Sequence, residues 1–311
     1  MSSILRAAIA AFALVLLALS PAAAEKSLQR EDLASAATRL EAKFKKTAKP
    51  AGTSLDKARK DGDAALAAGD YDKALEAFSA AIILDPKDWS VWNRYAIAAA
   101  RVVRSSYSDR YQIRADAAAA AYAAYQRSAA KPDEAAALAT LGLAETAQEN
   151  WRYAINAYAE SLKLVEVANV RAQHTALRDK YGFRFETASV DNNAAQPRAC
   201  FEFTEELKRN TDYAPYVAVT GMANPAVTAS GRQICIDGLE HGKRYGIVIR
   251  AGLPSAIAGE DLLKTIDYTT YVKDRAPQVR FTGRNYVLPR TGQGGLPVVT
   301  VNTKSVEIEI F

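Results

Sequence analysis

The sequence predicts a multidomain chain, helical first and then built of strands. A tetratricopeptide-like α-helical repeat stack precedes an antiparallel immunoglobulin-like β-sandwich and the first strands of a further β domain. Three observations predict this. Apolar residues recur at helical spacing through about residue 180, a pattern of small and aromatic residues returns after eighty positions, and beyond Gly182 the apolar period drops to two. With 311 residues the chain has room for about two domains, and its 49% apolar and 24% charged residues are ordinary for globular protein.

Residues 1–24, MSSILRAAIAAFALVLLALSPAAA, carry one early positive charge (Arg6), an apolar run and a small-residue site ending at Ala24. That order is the pattern of a secretory signal peptide, with cleavage expected before Glu25. A retained membrane anchor is the rival, and the run is short for a span. The expected location is periplasmic or secreted. Residues 25–60 hold ten Lys/Arg against five acids, which accounts for the formal net charge of +5 once Arg6 is set aside. Residues 61–311 are close to neutral, so a globally basic nucleic-acid binder is not expected.

Residues 25–54 read as a basic helix and linker. KSLQREDLASAATRLEAKFKK places Leu33, Ala37, Leu40 and Phe44 on one stripe, and TAKPAGTS interrupts it. Contact with anionic lipid or cell-wall polymer is one reading of the basic face; a solvated helix packed loosely on the next domain is the other, favoured by its interspersed acids. Residues 55–181 form the repeat domain. Gly62, Tyr71, Ala74, Phe78 and Ala81 recur as Gly142, Trp151, Ala154, Tyr158 and Ser161. Small residues let two antiparallel helices approach, and the aromatics fill the space beside them. The turns fall at Asp70-Tyr71 and Asn150-Trp151. Between the repeats lie WSVWNRYAIAAARVV, with Trp89, Trp92 and Ile97 expected buried, and RADAAAAAYAAYQRSAA, joined by SSYSDRY. ANVRAQHTALRDKYG should cap the stack. Such stacks bind peptides or proteins in a concave groove, but the inward positions Arg59, Asp63, Ala139 and Leu143 lack the Lys and Asn of a carboxylate clamp.

Residues 182–282 read as the sandwich. The strands are ACFEF, PYVAVTG, QICID, RYGIVIRA and TIDYTTYV, facing inward at Phe201, Phe203, Val217, Val219, Ile234, Ile236, Tyr245, Ile247, Ile249, Ile266, Tyr268 and Val272. Cys200 and Cys235 fall out of phase with those residues, on the opposite face of their strands. If the two strands pair, the sulfurs can meet, and export supplies an oxidising setting. Metal binding is the rival, and two Cys without a suitably spaced His make a poor site. His174 and His241 have no spacing partner, no Ser or Cys sits in a nucleophile setting, and TGQGG lacks dinucleotide-loop spacing. No enzyme activity, cofactor or metal is expected. In residues 283–311 the alternation of Val299 and Val301, then Val306, Ile308 and Ile310, runs to Phe311, as if the chain stopped inside a domain.

The blocks CFEFTEELKRNTDYAPYVAV, ICIDGLEHGKRYGIVIRAGLP and VRFTGRNYVLPRTGQGGLPVVTVNTKSVEIEIF resemble the N-terminal region of bacterial alpha-2-macroglobulins. The resemblance implies a large exported protease inhibitor that traps proteases through a bait segment and a thioester. It implies protein partners, namely target proteases through the full-length protein and a cell-wall synthase. It also implies that residues 283–311 begin the first macroglobulin domain. The Cys-x-Glu-Gln thioester motif is absent, and neither Cys200 nor Cys235 begins one. An independent periplasmic adaptor, with repeats for docking and a sandwich as spacer, is the alternative; an envelope hydrolase fails for want of catalytic residues.

Overall fold

The computed structural model describes residues 26–48, 52–282 and 297–309. The signal-like segment, the centre of the first linker, TGQGG, Ile310 and Phe311 lie outside them. Two units are distinguished, residues 1–177 and 178–311. Among the described residues the order is eight α-helices followed by nine strands.

The helices are α1 (Glu31–Thr47), α2 (Leu55–Ala68), α3 (Tyr71–Leu84), α4 (Trp89–Arg101), α5 (Tyr107–Arg127), α6 (Lys131–Ala147), α7 (Trp151–Leu164) and α8 (Ala168–Tyr181). Caps set several of their starts: the side chains of Ser54, Asp70, Asp88 and Ser106 accept from the backbone N–H groups of Lys57, Lys73, Ser90 and Asp109. Three pairs stack in turn, α2 with α3, α4 with α5 and α6 with α7.

The eighty-residue repeat is a repeat of packing. A Cβ on Gly62 would stand 2.5 Å from the Phe78 ring, and one on Gly142 would stand 2.6 Å from the Tyr158 ring. Each aromatic ring therefore occupies the space a Cβ would need on the partner helix. The other repeated positions follow: Ala74, Ala81, Ala154 and Ser161 are buried, and Ser161 Oγ donates to the Ala135 carbonyl at 2.7 Å. Burial pushes the Tyr158 phenol up to about 12, so it is protonated at neutral pH, and it donates to Gln173 Oε1 at 2.6 Å.

The middle pair is built differently. Every residue of α5 from Asp116 to Tyr125 is buried, because its alanines let neighbours approach on all sides. In α4 the buried face is Val91, Trp92, Tyr95, Ala96, Ala98 and Ala99. Trp89 and Ile97, expected inside, are only half-buried. The helix α5 also begins seven residues earlier than expected, since Ser106 caps it inside what reads as a joining segment.

The basic helix α1 is not a loose appendage. Leu33, Ala37, Leu40 and Phe44 are all buried, against α3 and α5. The Phe44 ring lies 4.9 Å from that of Tyr95 and 5.9 Å from that of Trp92. Its charges are directed inward as well. Lys43 pairs with the buried Asp116 at 2.7 Å, and Glu41 pairs with Arg127 at 3.0 Å, whose guanidinium covers Trp92. The stripe that a membrane would need is already covered by the stack.

The second unit holds β1 (Phe185–Asp191), β2 (Arg198–Phe203), β3 (Val217–Val219), β4 (Ala226–Ser230), β5 (Gln233–Asp237), β6 (Arg244–Ile249), β7 (Ile266–Tyr271), β8 (Gln278–Phe281) and β9 (Val298–Val301). One antiparallel sheet runs β1-β2-β5-β4 and a second runs β3-β6-β7. Phe201, Phe203, Ile234 and Ile236 from the first meet Val217, Val219, Ile247 and Ile249 from the second in one core. Strands β1 and β4 are absent from the alternation read in the sequence, because each is an edge strand with few buried positions. The strands β8 and β9 pair as a separate ribbon, with Val279 and Phe281 exposed; Val306 and Ile308, expected in a strand, lie beyond β9 in irregular backbone and are exposed too.

If α1 belongs to the core, Phe44→Ala should lower the unfolding free energy of the helical unit by about 3–5 kcal/mol. Urea titration followed by tryptophan fluorescence measures this. A loss below about 1 kcal/mol would mark a helix packed only at the surface.

Candidate partner-docking surface

Strands β2 and β5 place Cys200 opposite Cys235 in register, next to the Phe201–Ile234 pair. Phe201 and Ile234 point into the core, so the cysteines share the outer face, where they form a disulfide of 2.07 Å. The bond joins adjacent strands within one sheet and closes a sequence separation of 35 residues. On the chain-entropy account such a loop contributes about 4 kcal/mol. Its role is to hold the β2–β5 register.

The two histidines belong to different units. His174 is buried within α8. The His241 ring nitrogens lie 2.8 Å from the Lys273 carbonyl oxygen and 3.2 Å from that of Ala194, which ties two loops together. Among the described residues no three His, Cys, Asp or Glu side chains are arranged to hold a metal ion, and no helix is long and apolar enough to cross a membrane.

On the helical unit the inward positions of the first repeat are committed to its own framework. Arg59 pairs with Asp88, and Asp63 pairs with Arg94 at 2.9 Å. The Asp88 carboxyl is desolvated, yet bonds from Ser90 and Arg59 hold it below the usual carboxylate range. At the equivalent places in the last repeat, Ala139 and Leu143 are half-buried and carry no charge.

The turn between α6 and α7 is organised otherwise. Glu145, 1% exposed, accepts from Asn150 Nδ2 at 2.8 Å and from Arg30 Nη1 at 3.2 Å. The Arg30 guanidinium in turn lies over the Tyr153 ring, 3.8 Å from its centroid, and binds Asp32. The segment before α1 is thereby fixed: the Leu28 and Arg30 N–H groups donate to the Tyr125 and Tyr122 hydroxyls, and Lys26 reaches the Ser128 carbonyl and Glu134. Burial pushes the Glu145 carboxyl above its ordinary range, opposed by Asn150 and Arg30. Within the turn, Glu149 takes a left-handed backbone (φ 64°), the conformation that Gly69 adopts at the equivalent turn of the first repeat (φ 74°). A residue with a Cβ pays about 1–2 kcal/mol for that conformation.

Beside this turn one face of the first two turns of α5 is open to solvent, while Ile113 packs on the core. Tyr107, Arg110, Tyr111 and Arg114, with Gln148, Glu149 and Asn150, line a cavity of 290 Å³. Sequence reading missed these residues, because the segment holding the two tyrosines was assigned to a connection. Their i, i+3, i+4, i+7 spacing was the available signal.

A raised Glu145 pKa has a definite sign. Between its unfolded and folded values the native state binds more protons than the unfolded one, so this group's contribution to stability falls as pH rises through that window. The unfolding free energy of the wild type minus that of Glu145→Gln should therefore decrease as pH rises from the ordinary glutamate range toward neutrality. Denaturant titrations at a series of pH values test it; a difference that grows with pH would mean that Arg30 outweighs burial.

No family model matches the chain. Over 73 residues it is 38% identical to the alpha-2-macroglobulin of Xylella fastidiosa (strain 9a5c), a match that covers 24% of this chain and 4% of that protein. The chain thus spans a small fraction of that relative. Among solved structures, the first TPR domain of human RPAP3 matches 39% of this chain and 87% of its own, at 17% identity and a TM-score of 0.34. Native alpha-2-macroglobulin from Escherichia coli, spanning domains MG0-NIE-MG1, matches 39% of this chain and 41% of its own, at 17% identity and a TM-score of 0.32. At these scores neither structural likeness assigns a fold or a function.

Proposed function

We propose that the chain is the N-terminal part of an exported, macroglobulin-like protease inhibitor, without catalysis of its own, whose helical unit docks protein partners. The observation that carries the reading is the 38% identity over 73 residues with a bacterial alpha-2-macroglobulin. The order of the strand-unit blocks supports it, as does the signal-like N-terminus for a periplasmic or secreted location.

The strand unit is, in this reading, immunoglobulin-like. Its first, second, fifth and fourth strands share one sheet, while the third, sixth and seventh share the other, the order of a constant-type domain. Tyr245 at the start of β6 supports it further: its hydroxyl accepts from the Glu240 N–H at 3.0 Å, five residues upstream, in the manner of a tyrosine corner. The disulfide departs from the antibody pattern, since it lies within one sheet.

An independent adaptor of the cell envelope is the second reading, favoured by a helical unit with a core of its own. Sequencing onward from the codon for Phe311 separates the two. An open frame encoding further macroglobulin strands, a bait segment and a Cys-x-Glu-Gln motif is expected. A stop codon at that point would contradict the inhibitor reading and leave the adaptor.

A further inference from the structure

The overhang of α5 has a composition that its packing does not explain. Helix α5 has 21 residues, but its continuously buried stretch starts only at Asp116. Ahead of that stretch, Tyr107 is 75% exposed and Tyr111 is 64% exposed. Both share one helical face with Arg110 and Arg114. Neither arginine forms an ion pair among the described residues; Arg110 rests only near the Tyr107 ring, 5.8 Å away. This contrasts with Arg30, Arg59, Arg94, Arg104 and Arg127, each of which has a carboxylate partner. Tyrosine and arginine are the side chains that concentrate binding energy at protein interfaces, because they offer large rigid area and directed donors.

We infer that the face of α5 carrying Tyr107, Arg110, Tyr111 and Arg114, with the Gln148–Asn150 turn opposite, docks an acidic, extended segment of a partner protein. Charge complementarity selects the occupant. Arg110 and Arg114, which form no ion pair among the described residues, present forked donors that match carboxylates and outnumber the single carboxylate of the lining, Glu149. The cavity between the face and the turn, 290 Å³, accommodates a few side chains rather than a long polymer track. The near-neutral balance of residues 61–311 does not provide the field that a polyanion would require. The opposite wall is held in place from within, since Asn150 is bound to the buried Glu145 that Arg30 also holds. Glu149 keeps a left-handed backbone on that wall where the first repeat has glycine.

The inference rests on the docking half of the proposed function and is independent of its macroglobulin half. The test uses the full chain and a fluorescein-labelled peptide of alternating glutamate and leucine, read by fluorescence polarisation. A counterpart with lysine for glutamate and phosphatidylglycerol vesicles serve as comparison ligands. The acidic peptide should bind and the lysine peptide should not. Arg110→Gln/Arg114→Gln and Tyr107→Ser/Tyr111→Ser should each weaken binding by about tenfold or more, with circular dichroism unchanged. Arg94→Gln on the first-repeat side should leave it unaltered. Loss of binding only in Arg94→Gln would overturn this face while leaving docking by the helical unit standing. Absence of peptide binding, equal binding of the lysine peptide, or an arginine-dependent preference for vesicles would overturn the inference outright.

Discussion

The helical unit depends on how closely two helix backbones approach. At Gly62 and at Gly142 there is no room for a Cβ, because an aromatic ring of the partner helix occupies that position. Glycine in a helix interior costs about 1 kcal/mol in propensity. The cost is offset because Phe78 and Tyr158 are buried against the bare backbone and set the separation of each pair.

From this spacing the rest of the unit follows. The same turn position is left-handed in both outer repeats, as Gly69 and as Glu149. In the last repeat the turn gains a second fixture, the buried Glu145 shared by Asn150 and Arg30. Arg30 belongs to the segment entering α1, so the N-terminal helix and the α6–α7 turn are locked by one carboxylate. The alanine-rich stretch of α5 from Asp116 to Tyr125 can then be enclosed on all sides, while Tyr107 and Tyr111 ahead of it stay exposed. In the strand unit the equivalent constraint is register, and the disulfide between Cys200 and Cys235 holds it at the centre of the four-stranded sheet.

Much of this was legible in residues with a strict period. The stripe Leu33, Ala37, Leu40, Phe44 gave the buried face of α1, and the out-of-phase position of Cys200 and Cys235 gave the face on which they meet. What the stripe did not reveal was its partner, since nothing local says that Phe44 packs on Trp92 and Tyr95. The Arg30–Glu145 pair spans 115 positions and leaves no trace in spacing. Trp89 and Ile97 were misplaced because a helix rich in alanine has several apolar faces, and bulk alone does not choose among them. The edge strands β1 and β4 were invisible because one or neither face of an edge strand is fully covered, which erodes alternation.

The central claim, that aromatic contact with a bare helix backbone sets the repeat, is tested most directly by a double-mutant cycle on Gly142 and Tyr158. In the wild type, Gly142→Ala should destabilise the unit by about 1–3 kcal/mol, since overpacking outweighs helix propensity. In a Tyr158→Ala background the clash is gone, and the same change should instead stabilise by up to about 1 kcal/mol. A cost of equal size in both backgrounds, or no cost in the wild type, would contradict the account.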